Sequence, residues 1–405
     1  MRRMFVMLIL ITTFLFSACG GSSTAYESNL SSEENTSTVA GIDTQVPSGV
    51  GSTAWINISS SGPFDPLRFA LRQDGRLFAW GSRQRLQTLF GNAVTEGQDE
   101  TGHWILQAVE VMDNVAYVAS SVELGGVHTM ILDTNGILWG VGSNSHGQLG
   151  DGTIAQRPYP IEVMDRVIAV SAGQNYTMAI TADGVLFAWG ANRSGQLGDG
   201  TTTTRHSPVQ IMEDVIAVSA GHYHTAAITS DGRLWVWGGA VVISRAVDGS
   251  VISPEVVPSV IMYDVVAVSA GNNHSMAITS DGGLWAWGSG QLGDGFDTRN
   301  QSEPIRVKDN VMMVSVGSGH TAAITTDGVL YTWGSNSSGQ LGDGTRATRH
   351  LPTRIMDDVA LVYAGDGHTM AITGDGALWA WGSSNNDAFG LEEDFAVPNV
   401  VDIYE

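Results

Sequence analysis

Residues 167–190 read VIAVSAGQNYTMAITADGVLFAWG, and residues 265–288 read VVAVSAGNNHSMAITSDGGLWAWG. The two stretches share one succession of short apolar runs, divided first by a Gly-containing loop and then by an Asp-Gly dipeptide. An Asp-Gly pair between two apolar runs is a strong signal for a β-hairpin, because its turn needs a residue with positive φ. Each stretch therefore predicts several short strands joined by tight turns.

The same Asp-Gly or Asn-Gly turn occurs seven times along the chain. The turns are Asp74-Gly75, Asn135-Gly136, Asp183-Gly184, Asp231-Gly232, Asp281-Gly282, Asp327-Gly328 and Asp375-Gly376. A fourth strand is predicted near residue 208, and the strands are apolar at nearly every position, which indicates burial on both faces. A ring of four-stranded sheets meets this requirement and has a repeat of this length. We therefore predict an all-β, seven-bladed β-propeller.

The repeat region begins and ends with partial repeats. Residues 54–59 (AWINIS) stand where VIAVSA stands elsewhere, and residues 397–404 (VPNVVDIY) stand where SPVQIMED stands at 207–214. The two fragments add up to one blade, so we expect the last strand to complete the first blade. Such pairing of the N- and C-terminal strands would close the ring without an exposed sheet edge.

The first 18 residues have the three parts of a secretory signal peptide, namely two arginines, an apolar run and small residues at the end. This run is too short to span a bilayer. The only cysteine of the sequence, Cys19, follows immediately. Residues 15–19 (LFSAC) resemble the bacterial lipobox, which implies cleavage before Cys19 and lipidation of its thiol, although Phe16 replaces the usual leucine. An unmodified secreted protein is the alternative.

The sequence thus predicts three regions. Residues 1–18 are a signal peptide, residues 19–50 are a lipidated cysteine with a flexible Ser- and Thr-rich tether, and residues 51–405 are the propeller. We expect an exported chain, anchored to the bacterial cell membrane by lipid and facing outside the cytoplasm. The formal net charge of −22 would repel an anionic membrane surface, so the lipid should be the only membrane contact.

The charge also argues against a nucleic-acid partner. Only 19 residues are Lys or Arg, against 41 Asp and Glu, and no cluster of cations follows the first three residues. Binding to a phosphate backbone needs clustered cations. We therefore expect no nucleic acid among the partners of this chain.

Residues that recur in every blade are expected to serve the scaffold. A histidine stands three positions after a glycine at His128, His224, His274, His320 and His368, and Tyr176 takes this place in one blade. We interpret these histidines as structural rather than as metal ligands. Recurring tryptophans such as Trp189 and Trp381 should pack between blades. Calcium at loops such as the one ending in Asp199 is the alternative for the Asp-Gly-Thr repeats.

No catalytic motif accompanies the repeats. The sequence has no G-x-S-x-G, no H-E-x-x-H and no phosphate-binding loop. Paired glycosidase carboxylates on separate blades are an arrangement that the sequence leaves open. We therefore expect a non-catalytic protein without a metal or another cofactor.

Binding should use the positions at which the blades differ. The two residues between the recurring glycine and histidine vary most, and they should all lie on one rim of the ring. We assign partner binding to residues of these pairs and to Trp104 of the long excursion 82–108: Gln174, Asn175, His222, Tyr223, Asn272, Asn273, Asp366 and Trp104. The alternative is that these loop residues vary because nothing constrains them.

Residues 317–342 (GSGHTAAITTDGVLYTWGSNSSGQLG) carry Gly-x-x-His, Asp-Gly, Trp-Gly-x-Asn and Gly-Gln-Leu-Gly in order. This pattern resembles the repeat of the regulator-of-chromosome-condensation family, and the resemblance covers roughly residues 53–404. It implies a propeller whose face binds protein. In the family's eukaryotic founder that face displaces nucleotide from a small GTPase, and an acidic residue directly before the motif histidine matters. No blade here has one, so nucleotide exchange is not expected.

The combined prediction is a monomeric binding platform at the cell surface. Its partner would be an unidentified protein or a glycan of the cell envelope. A carbohydrate-binding module is the alternative function, and an inhibitor or enzyme of envelope chemistry is the third.

Overall fold

The apolar runs form seven four-stranded antiparallel sheets within the residues that the structure describes. The structure is a computed structural model and describes residues 55–60, 67–81, 86, 109–121, 127–239, 255–297, 299–383 and 395–401, with the backbone of four two-residue strands. Those short strands pair as Thr38–Val39 with Ile42–Asp43 and as Gly97–Gln98 with Trp104–Ile105. All of them belong to the compact unit Thr36–Glu405.

Each sheet is one blade, and its four strands follow one another in sequence order from the first strand to the fourth. Blade 1 consists of Trp55–Ser60, Leu67–Arg72, Leu77–Gly81 and Val109–Met112. Blade 2 consists of Val115–Ser120, His128–Asp133, Leu138–Gly142 and Arg157–Met164. Blade 3 consists of Val167–Gly173, Tyr176–Thr181, Leu186–Gly190 and Arg205–Met212.

The remaining four blades repeat this arrangement. Blade 4 consists of Val215–Ala220, His224–Thr229, Leu234–Gly238 and Glu255–Met262. Blade 5 consists of Val265–Ala270, His274–Thr279, Leu284–Gly290 and Arg299–Lys308. Blade 6 consists of Val311–Val316, His320–Thr325, Leu330–Gly334 and Arg349–Met356. Blade 7 consists of Val359–Ala364, His368–Thr373, Leu378–Gly382 and Phe395–Val400.

The predicted all-β, seven-bladed propeller is therefore confirmed, but the predicted way of closing the ring is wrong. Phe395–Val400 pairs with Leu378–Gly382 inside blade 7, and Trp55–Ser60 pairs with Leu67–Arg72 inside blade 1. The reason is where each blade begins along the sequence. Every blade starts with its VIAVSA-type strand and is complete before the next such strand. The two end fragments are thus the first strand of one blade and the last strand of another.

Side-chain packing joins the last blade to the first. Ile58 and Trp80 of blade 1 lie in one buried cluster with Met370 and Leu378 of blade 7. The sheets pack face to face there, as they do between the other blades. Apolar burial therefore closes the ring in place of a shared strand.

The core lies between the blades. The second strand of every blade is buried along its whole length. Its side chains alternate between the two neighbours, so that Ala179 packs in the cluster shared with blade 2, whereas Met178 packs in the cluster shared with blade 4. Burial on both faces explains why these strands are almost wholly apolar.

The turns divide the propeller into two ends. At one end, which we call the turn end, the Asp-Gly turn lies beside the turn that leads into the next blade, as where the Val215 amide donates to the Gly184 carbonyl at 2.9 Å. Gly184 has a φ of 78°, so the predicted positive φ falls on the glycine of the turn. The opposite end, the loop end, carries the loops from first to second strand and the Gln-Leu-Gly loops. Among the described residues no helix is long and apolar enough to cross a membrane.

Candidate binding site at the channel mouth

The first strands of the blades surround a central channel with a volume of about 170 Å³. Serines of these strands tie neighbouring blades together. The Ser171 hydroxyl accepts a hydrogen bond from the Ala220 amide at 3.0 Å, and the Ser315 hydroxyl accepts one from the Ala364 amide at 2.9 Å. Ser59, Ser219 and Ser269 make the same contact with the next blade. The channel wall is therefore a hydrogen-bonded frame.

The loop-end mouth of this channel contains the variable residues predicted for binding. The Gln174 amide donates to the Gly221 carbonyl at 3.3 Å, and the His222 amide donates to the Gly271 carbonyl at 3.2 Å. Each loop is thus fixed to the glycine of the next blade. Gln174, His222 and Asn272 line the channel as a result. These three residues thus lie at one mouth, and their role in binding a partner stays a prediction.

Tyr223 and Asn273 present the outer part of the mouth. Both are exposed, and the Tyr223 ring packs on the His222 ring with centroids 4.1 Å apart. Asp366 of blade 7 acts electrostatically on His222 across the mouth. Burial lowers the pKa of His222, and the Asp366 carboxylate opposes this shift. In the loops that the structure describes, the mouth is therefore a mostly uncharged polar surface with one carboxylate and one tyrosine.

Two of the predicted binding residues, Asn175 and Trp104, differ from those described above. Asn175 has a φ of 61°, and its side-chain oxygen accepts a hydrogen bond from Gln148 Nε2 of blade 2 at 3.0 Å. This residue is thus engaged in the contact between blades. Trp104 belongs to a two-residue strand, but its side chain lies outside the described residues, as do Cys19 and residues 240–254.

Four of the recurring histidines, His128, His224, His274 and His320, contact a Ser or Thr hydroxyl of the next blade, which fits their structural interpretation. His128 Nε2 lies 3.0 Å from Thr177 Oγ1 in the following blade, and Thr177 donates its own proton to the Gln148 carbonyl. The histidine is therefore the donor in this pair. Burial lowers the pKa of His128 to about 3, so the ring is neutral at physiological pH. Tyr176 makes the equivalent contact from blade 3 to blade 4, where its hydroxyl donates to the His224 carbonyl at 2.5 Å.

The recurring tryptophans are buried between blades, as predicted. Trp189 Nε1 donates to the Gln148 carbonyl at 3.0 Å, and Trp381 Nε1 donates to the Gln340 carbonyl at 3.0 Å. Each glutamine belongs to the loop of the preceding blade. The Gln148 carbonyl therefore accepts two hydrogen bonds from blade 3, one from the Thr177 hydroxyl and one from the Trp189 indole N–H. These bonds hold the loop of blade 2 in place.

The Asp-Gly-Thr loops hold their carboxylates with an arginine. Asp199 accepts hydrogen bonds from Arg205 Nε at 2.7 Å and from Asn192 Nδ2 at 3.0 Å. Burial alone would raise the pKa of Asp199, but its hydrogen bonds with Thr201, Arg205 and Asn192 outweigh burial and lower it. The Asp199 carboxylate is thus paired with a guanidinium of its own blade. The described residues contain no group of three or more His, Cys, Asp or Glu that could hold a metal ion.

The contact between blades 7 and 1 escaped sequence reasoning. Arg68 stands at the position of Thr177 and is 1% exposed, and burial lowers its pKa to about 9. Burial first, and the Arg68 charge second, hold the pKa of His368 well below its ordinary value. The signal was present in the sequence, because Leu67-Arg68 replaces the recurring His-Thr pair.

Sequence profiles match most of the repeat region. A profile of the Regulator of chromosome condensation (RCC1) repeat matches residues 135–180, 183–228, 281–324 and 327–372. A second profile of the same repeat matches residues 119–148, 167–196, 265–294 and 359–387. Together they cover more than half of the chain. Comparison with curated proteins gave no match.

Solved structures share the fold at low sequence identity. Human WBSCR16 superimposes with a TM-score of 0.67 at 20% identity, over 80% of this chain and 88% of that one. Yeast RCC1 (Prp20), bound to Kap60, gives 0.66 at 19% identity over 95% and 91%. Prp20p from Saccharomyces cerevisiae, described with its binding properties to Gsp1p and histones, gives 0.61 at 23% identity over 71% and 77%. These likenesses support the fold alone.

Proposed function

Because the chain belongs to the regulator of chromosome condensation (RCC1) repeat family, we propose that it is a non-catalytic platform that binds a protein partner at the loop-end mouth of its channel. One observation carries this proposal. Polar residues that do not repeat from blade to blade, namely Gln174, His222 and Asn272, meet at one mouth on a frame of repeated hydrogen bonds. A fixed frame keeps the ordering cost of binding low.

The character of the mouth suits a protein surface. Gln174, His222 and Asn272 are half-buried, so their side chains can exchange hydrogen bonds with a partner without first leaving the core. Tyr223, 40% exposed, supplies an amphipathic ring at the edge, and tyrosine is enriched in protein interfaces. With one aromatic anchor among the described mouth residues, we expect a largely polar contact of moderate affinity.

The exposed aromatic side chains of the described residues do not favour a glycan over a protein partner. Among the described residues, Tyr159 is on an outer strand, Tyr223 is at the loop-end mouth, Tyr263 is at the turn end and Phe296 is in a loop of blade 5. Carbohydrate modules use aromatic platforms that cluster along one groove. The proteins of similar fold that were solved with or tested against Kap60, Gsp1p and histones bind protein partners, which supports the same class of partner here.

The cell-surface setting belongs to the same proposal. The signal peptide 1–18, the lipobox-like residues 15–19 and Cys19 support export and lipid anchoring. A Ser- and Thr-rich tether would hold the propeller away from the membrane. The mouth would then face partners outside the cytoplasm.

Site-specific photo-crosslinking tests the mouth directly. The full chain is produced in its own cells with p-benzoylphenylalanine in place of Tyr223, and separately in place of Asn272. The control places it at Tyr159, which is 62% exposed on an outer strand and replaces the same residue type. We expect one discrete protein adduct, the same from both mouth positions, after irradiation.

The pattern of adducts decides between the mouth and the rest of the surface. An adduct that forms at Tyr223 and Asn272 but not at Tyr159 supports the mouth as the partner site. Equal adducts at all three positions, or adducts at Tyr159 alone, would overturn the proposal, because the mouth would then have no preference for the partner.

A further inference from the structure

Four successive blades expose an aliphatic side chain at one position of the first strand. These residues are Ile168, Ile216, Val266 and Met312, with exposed fractions of 45, 46, 53 and 54%. We call them the apolar arc. Side chains of this kind are usually buried, and a contiguous exposed set marks a contact surface.

A bulge in the strand explains why these side chains are outside the core. Val167 pairs with Thr181 and Ala169 pairs with Ile180, so Ile168 between them has no partner in the ladder. The same shift occurs at Ile216, Val266 and Met312. A bulge re-aims its extra residue out of the sheet. The exposure is therefore built into the backbone of each blade.

The apolar arc lies at the turn end of the channel, opposite the proposed partner mouth. Each of its residues comes two positions after the turn between blades, as Ile216 follows Asp214. The next residue of blade 6, Met313, lines the channel. Tyr263, 50% exposed, stands in the turn that precedes Val266. The turn-end mouth is thus rimmed by apolar groups over four adjacent blades.

Carboxylates surround this apolar arc. The turns between blades contribute Glu213 and Asp214, Asp264, Asp309, Asp357 and Asp358, and the Asp-Gly turns contribute Asp183, Asp231, Asp281 and Asp327. The arginines of this region already have carboxylate partners, as in Arg166 with Asp183, Arg233 with Asp231, Arg306 with Asp281 and Arg354 with Asp357. Acid therefore remains in excess around the apolar arc.

The loop end differs in charge. Its described loops from first to second strand carry neutral residues apart from Asp366. In its Gln-Leu-Gly loops Asp151, Asp199 and Asp343 are each paired with an arginine, and the remaining described carboxylates, Asp294 and Asp297, flank Phe296 in blade 5 alone. The two ends of the propeller therefore offer different chemistry to a partner. Among the described residues, apolar groups that continue over four adjacent blades inside an acidic border occur at the turn end.

We propose that the turn end is a second docking surface, and that its occupant is a cationic amphipathic segment of a partner protein. Apolar side chains of the segment would cover the apolar arc, and its Lys or Arg residues would meet the acidic border. Charge complementarity selects this occupant, because an anionic membrane and a second acidic copy of this chain would both be repelled. The surface does not depend on the loop-end mouth, so the two proposals stand or fall separately.

Defined peptides serve as probes for this surface. Three biotinylated peptides are immobilised, namely an amphipathic helix of leucine and lysine, the same sequence with glutamate for lysine, and the same sequence with serine for leucine. The full chain is the analyte in biolayer interferometry. We expect binding to the Leu/Lys peptide, none to the Leu/Glu peptide, and at least tenfold weaker binding to the Ser/Lys peptide at about 0.15 M salt.

The chain itself supplies conservative variants. Alanine stands at the arc position in blades 2 and 7 as Ala116 and Ala360, so the double variant Ile216→Ala and Val266→Ala should fold. Asparagine stands at the left-handed turn position as Asn114 and Asn310, so Asp214→Asn and Asp264→Asn keep the backbone. We expect about tenfold weaker binding from the first pair. The second pair should weaken binding several-fold and flatten its salt dependence.

A variant at the other mouth completes the test. Tyr223→Ser at the loop end should leave binding of the Leu/Lys peptide unchanged, and circular dichroism should show native structure for every variant. Binding that stays within twofold in the Ile216→Ala and Val266→Ala variant would overturn the proposal. Equal binding of the Leu/Glu peptide, or an equal loss in Tyr223→Ser, would also overturn it.

Discussion

His320 Nε2 of blade 6 lies 2.9 Å from Thr369 Oγ1 of blade 7. Thr369 donates in turn to the Gln340 carbonyl at 2.7 Å, and Trp381 Nε1 reaches the same oxygen at 3.0 Å. A loop of blade 6 is thereby held by two side chains of blade 7. Because all four groups are buried or nearly so, each bond is shielded from competing water.

Removing this histidine should weaken the blade contact. His320→Ala deletes a buried donor and leaves a cavity, so we expect the free energy of unfolding to fall by about 2–3 kcal/mol. His320→Tyr should cost less, since Tyr176 fills the equivalent place in blade 3. Urea denaturation measures both, with His206→Ala at an exposed position as the control. Equal losses in the His320→Ala and His206→Ala variants would contradict a role in blade contact.

Buried histidines should make stability depend on pH. Burial lowers the pKa of His128, His224 and His320 to about 3 and that of His274 to about 4. Below the ordinary histidine pKa of about 6.5, each of these side chains takes up a proton in the unfolded chain but stays neutral in the folded chain. Stability is therefore full above that pH and falls as the pH drops, by about 1.4 kcal/mol per pH unit for each histidine.

Unfolding measured between about pH 7.5 and about pH 5 checks this dependence. Replacing one buried histidine, as in His274→Tyr, should reduce the slope of the unfolding free energy against pH by the contribution of about one bound proton. An unchanged slope in His274→Tyr would show that His274 is not held neutral in the fold.

The Asp199–Arg205 pair should contribute to stability, whereas a surface pair should not. The Asp199 side chain is 7% exposed and its carboxylate lies 2.7 Å from Arg205 Nε, while the Asp183 and Arg166 side chains are 3.7 Å apart and well exposed. A double-mutant cycle with Asp199→Asn and Arg205→Gln should give a coupling of about 1 kcal/mol. The matched cycle on Asp183 and Arg166 should give no measurable coupling. Coupling of similar size in both cycles would refute the distinction.

We expect Gly317→Ala to destabilise the protein, whereas Gly319→Ala in the same loop should be tolerated. A methyl group on Gly317 would collide with the Gly365 carbonyl oxygen and press on the His320 ring. On Gly319 it would meet only Ser335 at 3.3 Å, at a backbone angle that other residues adopt. Gly317→Ala should therefore lower the melting temperature by several degrees more than Gly319→Ala. Scanning calorimetry of the two variants decides, and equal shifts would disprove the close packing.

Lipid anchoring predicts a simple change of fractionation. Cys19→Ala removes the only thiol of the sequence, so labelled fatty acid should no longer be incorporated and the chain should leave the membrane fraction. Ser22→Ala in the tether is the matched control and should stay in the membrane. A Cys19→Ala variant that still sediments with membranes would mean that something other than lipid holds it there.

Sequence alone determined the number of blades and the strands that each repeat contributes, but not the blade to which the last strand belongs. Seven Asp-Gly or Asn-Gly turns and the apolar second strands are local signals, because a tight turn and a doubly buried strand each impose their own residues. The structural role of the histidines also followed from their recurrence. Even the exceptional Leu67-Arg68 pair was readable as a departure from the repeat.

Tertiary structure decided what depends on contacts between distant residues. The closing of the ring followed from which strands pair, and a periodic sequence fits more than one starting strand. Asn175 is engaged by Gln148 of another blade, while Gln174 beside it lines the channel. Ile168 and Val170 look alike in sequence, yet a bulge exposes the first and buries the second. Exposure is a property of the folded neighbours, and therefore a local pattern cannot fix it.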